Sequence, residues 1–217
     1  MRLKFQKAIS LFQKKDFKEA KNICEEILEI EPKNFDAMHL YGIISYQTKN
    51  YSLSAELINK AVKINSNNAE AYNNLGIAFK KLNKFDSALE SLNQAIKINP
   101  NFFEAYNGRG LIFIELERLN DALESLNKVV EINPNFAEAY KNKGSIFAEL
   151  KNYNEAFNNF SQAFKINPNL DRLLGSLIFS KHCISEWKSF DKDLEELADK
   201  ILKKKKSVHT ISIFIFF

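Results

Sequence analysis

The chain of 217 residues has only two cysteines, Cys24 and Cys183. That is too few for a disulfide scaffold and fits a reducing compartment. Four prolines and six glycines fall far short of a collagenous or low-complexity composition. Long apolar runs are missing too. No uncharged stretch exceeds twelve residues, and the apolar tail is only the last eleven, where about 20 are needed to span a bilayer. The opening MRLKFQKAISLFQKKDFKEA is broken by lysines, and no signal-peptide core is read from it. Nor does one sign of charge dominate. With 31 basic and 27 acidic residues the net charge is +4, and the run Lys203 to Lys206 accounts for that excess. A global basic field for nucleic acid is therefore absent. What remains is an expected soluble, cytoplasmic globular chain, of a length that suits one large domain or one repeat array.

What is there is periodic. Gly42, Gly76, Gly110 and Gly144 fall 34 residues apart. All four prolines, Pro32, Pro100, Pro134 and Pro168, share one phase of that period, with Ser66 in the open slot. Ala20, Ala88, Ala122 and Ala156 form a third column that Ser54 completes, and Ile30, Ile64, Ile98, Ile132 and Ile166 a fourth. One period across independent columns marks a solenoid. Five units result, 1–34, 35–68, 69–102, 103–136 and 137–170. In each, apolar or small residues at positions 4, 7, 8 and 11, then 20, 24 and 27, predict two amphipathic helices. The glycine and alanine columns are small because bulky side chains would hold crossing helices apart. Proline near position 32 closes the second helix.

The stretch AEAYNNLGIAFKKLNKFDSALESLNQAIKINP (69–100) resembles the tetratricopeptide repeat family nearly column for column, and the resemblance covers residues 1–170. It implies an all-α, right-handed superhelical array of five antiparallel helix pairs, without catalysis. The first unit departs from the pattern, with Lys4, Lys7 and Ala8 at columns that are usually aromatic, Leu and Gly. A solvent-facing cap should depart in this way, having no preceding neighbour.

Residues 171–206 leave the period but stay helical. DRLLGSLIFSKHC reads as one helix; in a second, Trp187, Phe190, Leu194, Leu197 and Ile201 form an apolar stripe. The plain reading is a capping or linker pair. With Trp187, Phe190 and Asp191, this segment also resembles the linker after the repeats in bacterial proteins similar to O-linked N-acetylglucosamine transferases. That resemblance implies a substrate-binding arm whose two-lobed glycosyltransferase domain is missing. The β-prone, uncharged tail 207–217 agrees, since such a strand needs a sheet to join; degenerate sequence is the other explanation for it.

Catalytic and cofactor chemistry is not evident. His39, His182 and His209 have no partner at metal spacing, and His182 beside Cys183 cannot put two ligands on one helix face. Cys24 sits in a core column. Every periodic glycine lies inside a helix, not in a phosphate loop. The lysine run suits the solvated end of a helix, and no aromatic-interleaved basic face joins it to suggest nucleic acid. No cofactor, metal or membrane span is expected.

Binding is then expected on the face of each first helix opposite its core columns. At 100° per residue, positions 2, 6, 9 and 13 cluster there, and in repeat arrays they line the concave groove. They read Asp36, Leu40, Ile43 and Gln47; Glu70, Asn74, Ile77 and Lys81; Glu104, Gly108, Leu111 and Glu115; Glu138, Asn142, Ser145 and Glu149. Six carboxylates face one lysine, so the groove should favour an extended, basic or polar peptide. The acids at position 2 serve equally to complement the helix dipole. The tetratricopeptide clamp for chaperone C-termini is absent, because position 9 is Ile43, Ile77, Leu111 and Ser145. Asn74 and Asn142 match the asparagine ladder that holds peptide backbone in transferase-type repeats; Leu40 and Gly108 interrupt it.

Overall fold

The computed structural model describes residues 1–184. The expected second capping helix, with Trp187, Phe190 and Asp191, falls outside the described residues, as do the lysine run and the tail 207–217. Among the described residues there are eleven helices and no strand: α1 (Arg2–Gln13), α2 (Phe17–Ile30), α3 (Phe35–Gln47), α4 (Tyr51–Ile64), α5 (Ala69–Lys81), α6 (Phe85–Ile98), α7 (Phe103–Glu115), α8 (Leu119–Ile132), α9 (Ala137–Glu149), α10 (Tyr153–Ile166) and α11 (Leu173–Ile184). The fold is all-α and built from helix pairs.

Within a pair the chain reverses over three residues, and the middle one supplies the reversal. Lys15, Lys49, Asn83, Glu117 and Lys151 all have φ between 56° and 64°. Each reversal is sealed by a backbone N–H that reaches five residues back, as Asn50 to Ser45 at 2.8 Å and Arg118 to Phe113 at 2.8 Å. This is the left-handed C-terminal closure that glycine usually provides. Of the five residues here, only Asn83 tolerates that conformation cheaply. Second helices then start on side-chain caps at Asp16, Asn50 and Asn152, but Lys84 and Arg118 give α6 and α8 none.

The chain separates into two compact units after Pro134. In the first, each helix packs on the next, and α1, α3, α5 and α7 also touch in sequence, so the first helices form one row. Its core is made at the crossings. The periodic glycines face position 24 of the same pair: a Cβ on Gly76 would stand 2.7 Å from Leu92 Cγ, and one on Gly110 3.2 Å from Leu126 Cγ. Leu92 and Leu126 are fully buried, each burial contributing about 2 kcal/mol. Ala37, Ala71 and Ala105 are buried at position 3 between neighbouring pairs, whereas Leu3 in the same column is 84% exposed. The first pair therefore behaves as an end. Its Lys4 is tied off by Glu26 at 2.5 Å.

In the second unit α9 packs on α10, and α11 covers both. Gly144 faces Phe160, and Leu173 closes the core formed by Ala156, Phe160 and Ala163.

Candidate functional site

The row α3, α5, α7 carries the expected groove residues of the first unit. Position 9 gives a half-buried apolar stripe of Ile43, Ile77 and Leu111. Asp36, Glu70 and Glu104 are exposed in the first turns of their helices, where they also complement the dipoles. At position 6, Leu40 is buried, Asn74 is half-buried and Gly108 leaves a gap. Gln47 and Lys81 are exposed at the far end of the row.

Two cross-helix contacts organise this surface, and each uses a residue outside the expected set. The first joins His39 Nε2 of α3 to Asn74 Nδ2 of α5 at 3.1 Å. With its proton on Nδ1, the neutral ring accepts the amide N–H. His39 is only 9% exposed and lies against Phe35, with ring centroids 5.5 Å apart. Burial lowers its pKa, while Glu70 and Asp36 pull in the opposite direction. The second contact is Lys80 to Glu115 at 2.5 Å, from α5 to α7. Glu115 is thus compensated, and the row is less acidic than the helical wheel alone suggests.

His39 has counterparts at position 5 in Asn73 and Asn107. Both keep a buried side-chain oxygen that has no hydrogen-bond partner among the described residues. Asn73 is 6% exposed. Opposite Asn73, α7 offers Gly108 where α5 offers Asn74 to His39, so no side chain reaches across to it. A buried acceptor left open is costly, on the order of 1–3 kcal/mol. Positions 5 and 12 sit at the edge of the arc that holds 2, 6, 9 and 13, turned toward the next first helix. Widening that arc to both edges would have found His39, Asn73, Lys80 and Asn107 from sequence.

In the second unit, α9 presents Glu138 and Glu149 exposed and Asn142 half-buried. Ser145 is exposed and donates to the Lys141 carbonyl at 3.1 Å. Elsewhere, Cys24 is fully buried, and burial pushes its thiol up to about 12, which removes it as a nucleophile. Among the described residues, no three His, Cys, Asp or Glu side chains gather as a metal site, and no helix is long and apolar enough to cross a membrane.

Among solved structures, the chain is similar to MamA at 25% identity and TM-score 0.70, covering 74% of this chain and 94% of that one. It is similar to YrrB, described as a TPR protein with an unusual peptide-binding site, at 24% identity and TM-score 0.68, covering 80% and 89%. PilF of Pseudomonas aeruginosa matches at 19% identity and TM-score 0.79, covering 94% and 90%. The likeness to YrrB and PilF is one of fold. No curated protein sequence matches. Family models described as tetratricopeptide repeat match residues 69–102, 137–170 and 11–76, and one described as TPR repeat matches 110–151. Most of the described residues fall within those matches, and the chain belongs to the tetratricopeptide repeat family.

Proposed function

We propose that this protein is an interaction scaffold that takes an extended, basic or polar peptide segment along the row α3, α5, α7. The observation that carries the reading is the half-buried amide of Asn74 in the row, with open acceptors behind it at position 5, Asn73 Oδ1 on α5 and Asn107 Oδ1 on α7. Together they offer acceptors and donors to a peptide backbone without demanding a particular sequence. The stripe Ile43, Ile77 and Leu111 adds apolar contact. Asp36, Glu70 and Glu104 bias the choice toward lysine and arginine, an effect that salt should weaken. Glu138, Asn142 and Glu149 offer the same chemistry on α9. A cytoplasmic setting fits the two free cysteines. The second reading, the substrate arm of a glycosyltransferase, is favoured by the half-buried asparagines Asn74 and Asn142. It is decided by whether the coding DNA beyond codon 217 encodes such a domain.

Panning a random peptide library tests the scaffold reading. Lysine- and arginine-rich peptides should be enriched on the native protein and lost on a Glu70→Lys, Glu104→Lys variant. Enrichment that the reversal leaves unchanged contradicts it.

A further inference from the structure

Position 11 of the repeat holds a half-buried phenyl ring in Phe79, Phe113 and Phe147, but a serine, Ser45, in the second pair. Phe79 shows what the ring does. It packs both against the cluster that includes Ala55 and Ile58 of the preceding pair and against the one that includes Ala88 and Leu92 of its own. Ser45 is 3% exposed and turns its hydroxyl back onto the Tyr41 carbonyl at 2.9 Å, so it fills none of that volume. A cleft of about 290 Å³ remains between α2, α3 and α4, with apolar walls from Phe17, Tyr41, Ile44 and Leu53. A cleft at the next pair contains Phe79 with Tyr72 and Leu75, and the rest of its wall is polar: Asn59, Ser87, Glu90, Ser91 and Gln94. The cleft beside Ser45 thus has the more apolar lining of the two.

Size and charge define its occupant. A cavity of about 150 Å³ takes a benzene ring, so this one holds a single aromatic side chain with its backbone. Two charged residues line it, Lys18 and Lys21, both cationic. Lys21 lies 5.8 Å from the Tyr41 ring centroid and is partly engaged by Glu25 at 3.4 Å, while Glu25 also accepts the Tyr41 hydroxyl at 2.7 Å. Lys18 is exposed at the rim. On α3, positions 7, 11 and 14 stand roughly opposite positions 2, 6 and 9, so the cleft lies on the other side of the helix from the peptide row. We propose that it is a second docking site, taking a partner segment in which an aromatic side chain is flanked by carboxylates. The ring replaces the missing phenyl group against Phe17 and Tyr41, with the acids held by Lys18 and Lys21. The scaffold then carries two sites of opposite charge preference.

Fluorescence anisotropy with a labelled peptide of one Phe between two Asp and two Glu tests this on the full chain. Saturable binding is expected, weakened about tenfold or more when the peptide's Phe becomes Ala, as for a buried aromatic anchor. Ser45→Phe should abolish it while circular dichroism stays helical, Ser45→Ala should leave it intact, and the groove variant Glu70→Lys should not affect it. Should Ser45→Phe fail to fold, the double variant Lys18→Glu, Lys21→Glu carries the same test and must lose binding. No saturable binding, or binding that survives Ser45→Phe or the Lys18→Glu, Lys21→Glu double variant, overturns the proposal.

Discussion

The first and third helix pairs close the same crossing with volume allocated in opposite ways. In the third, position 8 is Gly76 and position 24 is the large Leu92; a Cβ on Gly76 would stand 2.7 Å from Leu92 Cγ and 3.2 Å from the Ala88 carbonyl. In the first, position 8 is Ala8 and position 24 is the small Cys24, and both are fully buried in one cluster. The other pairs follow the third, with Gly42 against Ile58, Gly110 against Leu126 and Gly144 against Phe160. The array therefore trades volume between positions 8 and 24, a side chain gained at one being met by a smaller one at the other.

The strongest way to break that comparison is to give the third pair half of the first pair's solution. Leu92→Cys should cost about 2–3 kcal/mol through the cavity it opens, and Gly76→Ala alone about 2 kcal/mol through overpacking. The double variant should recover at least about 1 kcal/mol of the summed loss, measured by denaturant unfolding; strictly additive losses would sink the volume argument. A smaller effect is expected at the start of the second helix. Asp16 accepts the Glu19 N–H at 3.3 Å in the first pair, but Lys84 caps nothing in the third, so Lys84→Asn should stabilise by about 1 kcal/mol. At the reversal the advantage switches, with Asn83 in the third pair and Lys15, at φ 62°, in the first. Lys15→Asn should raise stability by about 0.5 kcal/mol, visible as a small rise in melting temperature.

The groove adds a pH effect that separates the second pair from the third, because His39 titrates and its counterpart Asn73 does not. Burial lowers the His39 pKa below its ordinary value of 6.5, so the fold favours the neutral ring. That contribution is complete above about pH 6.5 and is lost as pH falls through the unfolded value toward the lower folded one. His39→Asn should flatten this part of the stability profile in urea melts between pH 5 and 8.

Much of the fold was legible because a period of 34 constrains many columns at once. Gly76, Ala88 and Leu92 each announce a small or large slot, and the helices fall where those slots put them. The exchange between Ala8 and Cys24 was not legible, since each looks like decay of the pattern until the crossing is seen. The groove was half legible. A helical wheel places Ile77 and Glu104 on its face but says nothing of what leans in from the edge, so Lys80, which neutralises Glu115, and His39, which ties to Asn74, were missed. The cleft beside Ser45 needed the structure as well, because a serine in an aromatic column does not reveal whether neighbours close over the gap.

The central claim is that the row α3, α5, α7 binds peptide backbone. Amide chemical-shift mapping with an extended lysine-rich peptide tests it most directly. The account predicts saturable shifts centred on Asn73, Asn74, Ile77, Asn107 and Leu111, including the side-chain NH₂ signals of Asn73 and Asn107. Shifts confined to the second helices α2, α4, α6 and α8, with those five residues unmoved, would contradict it.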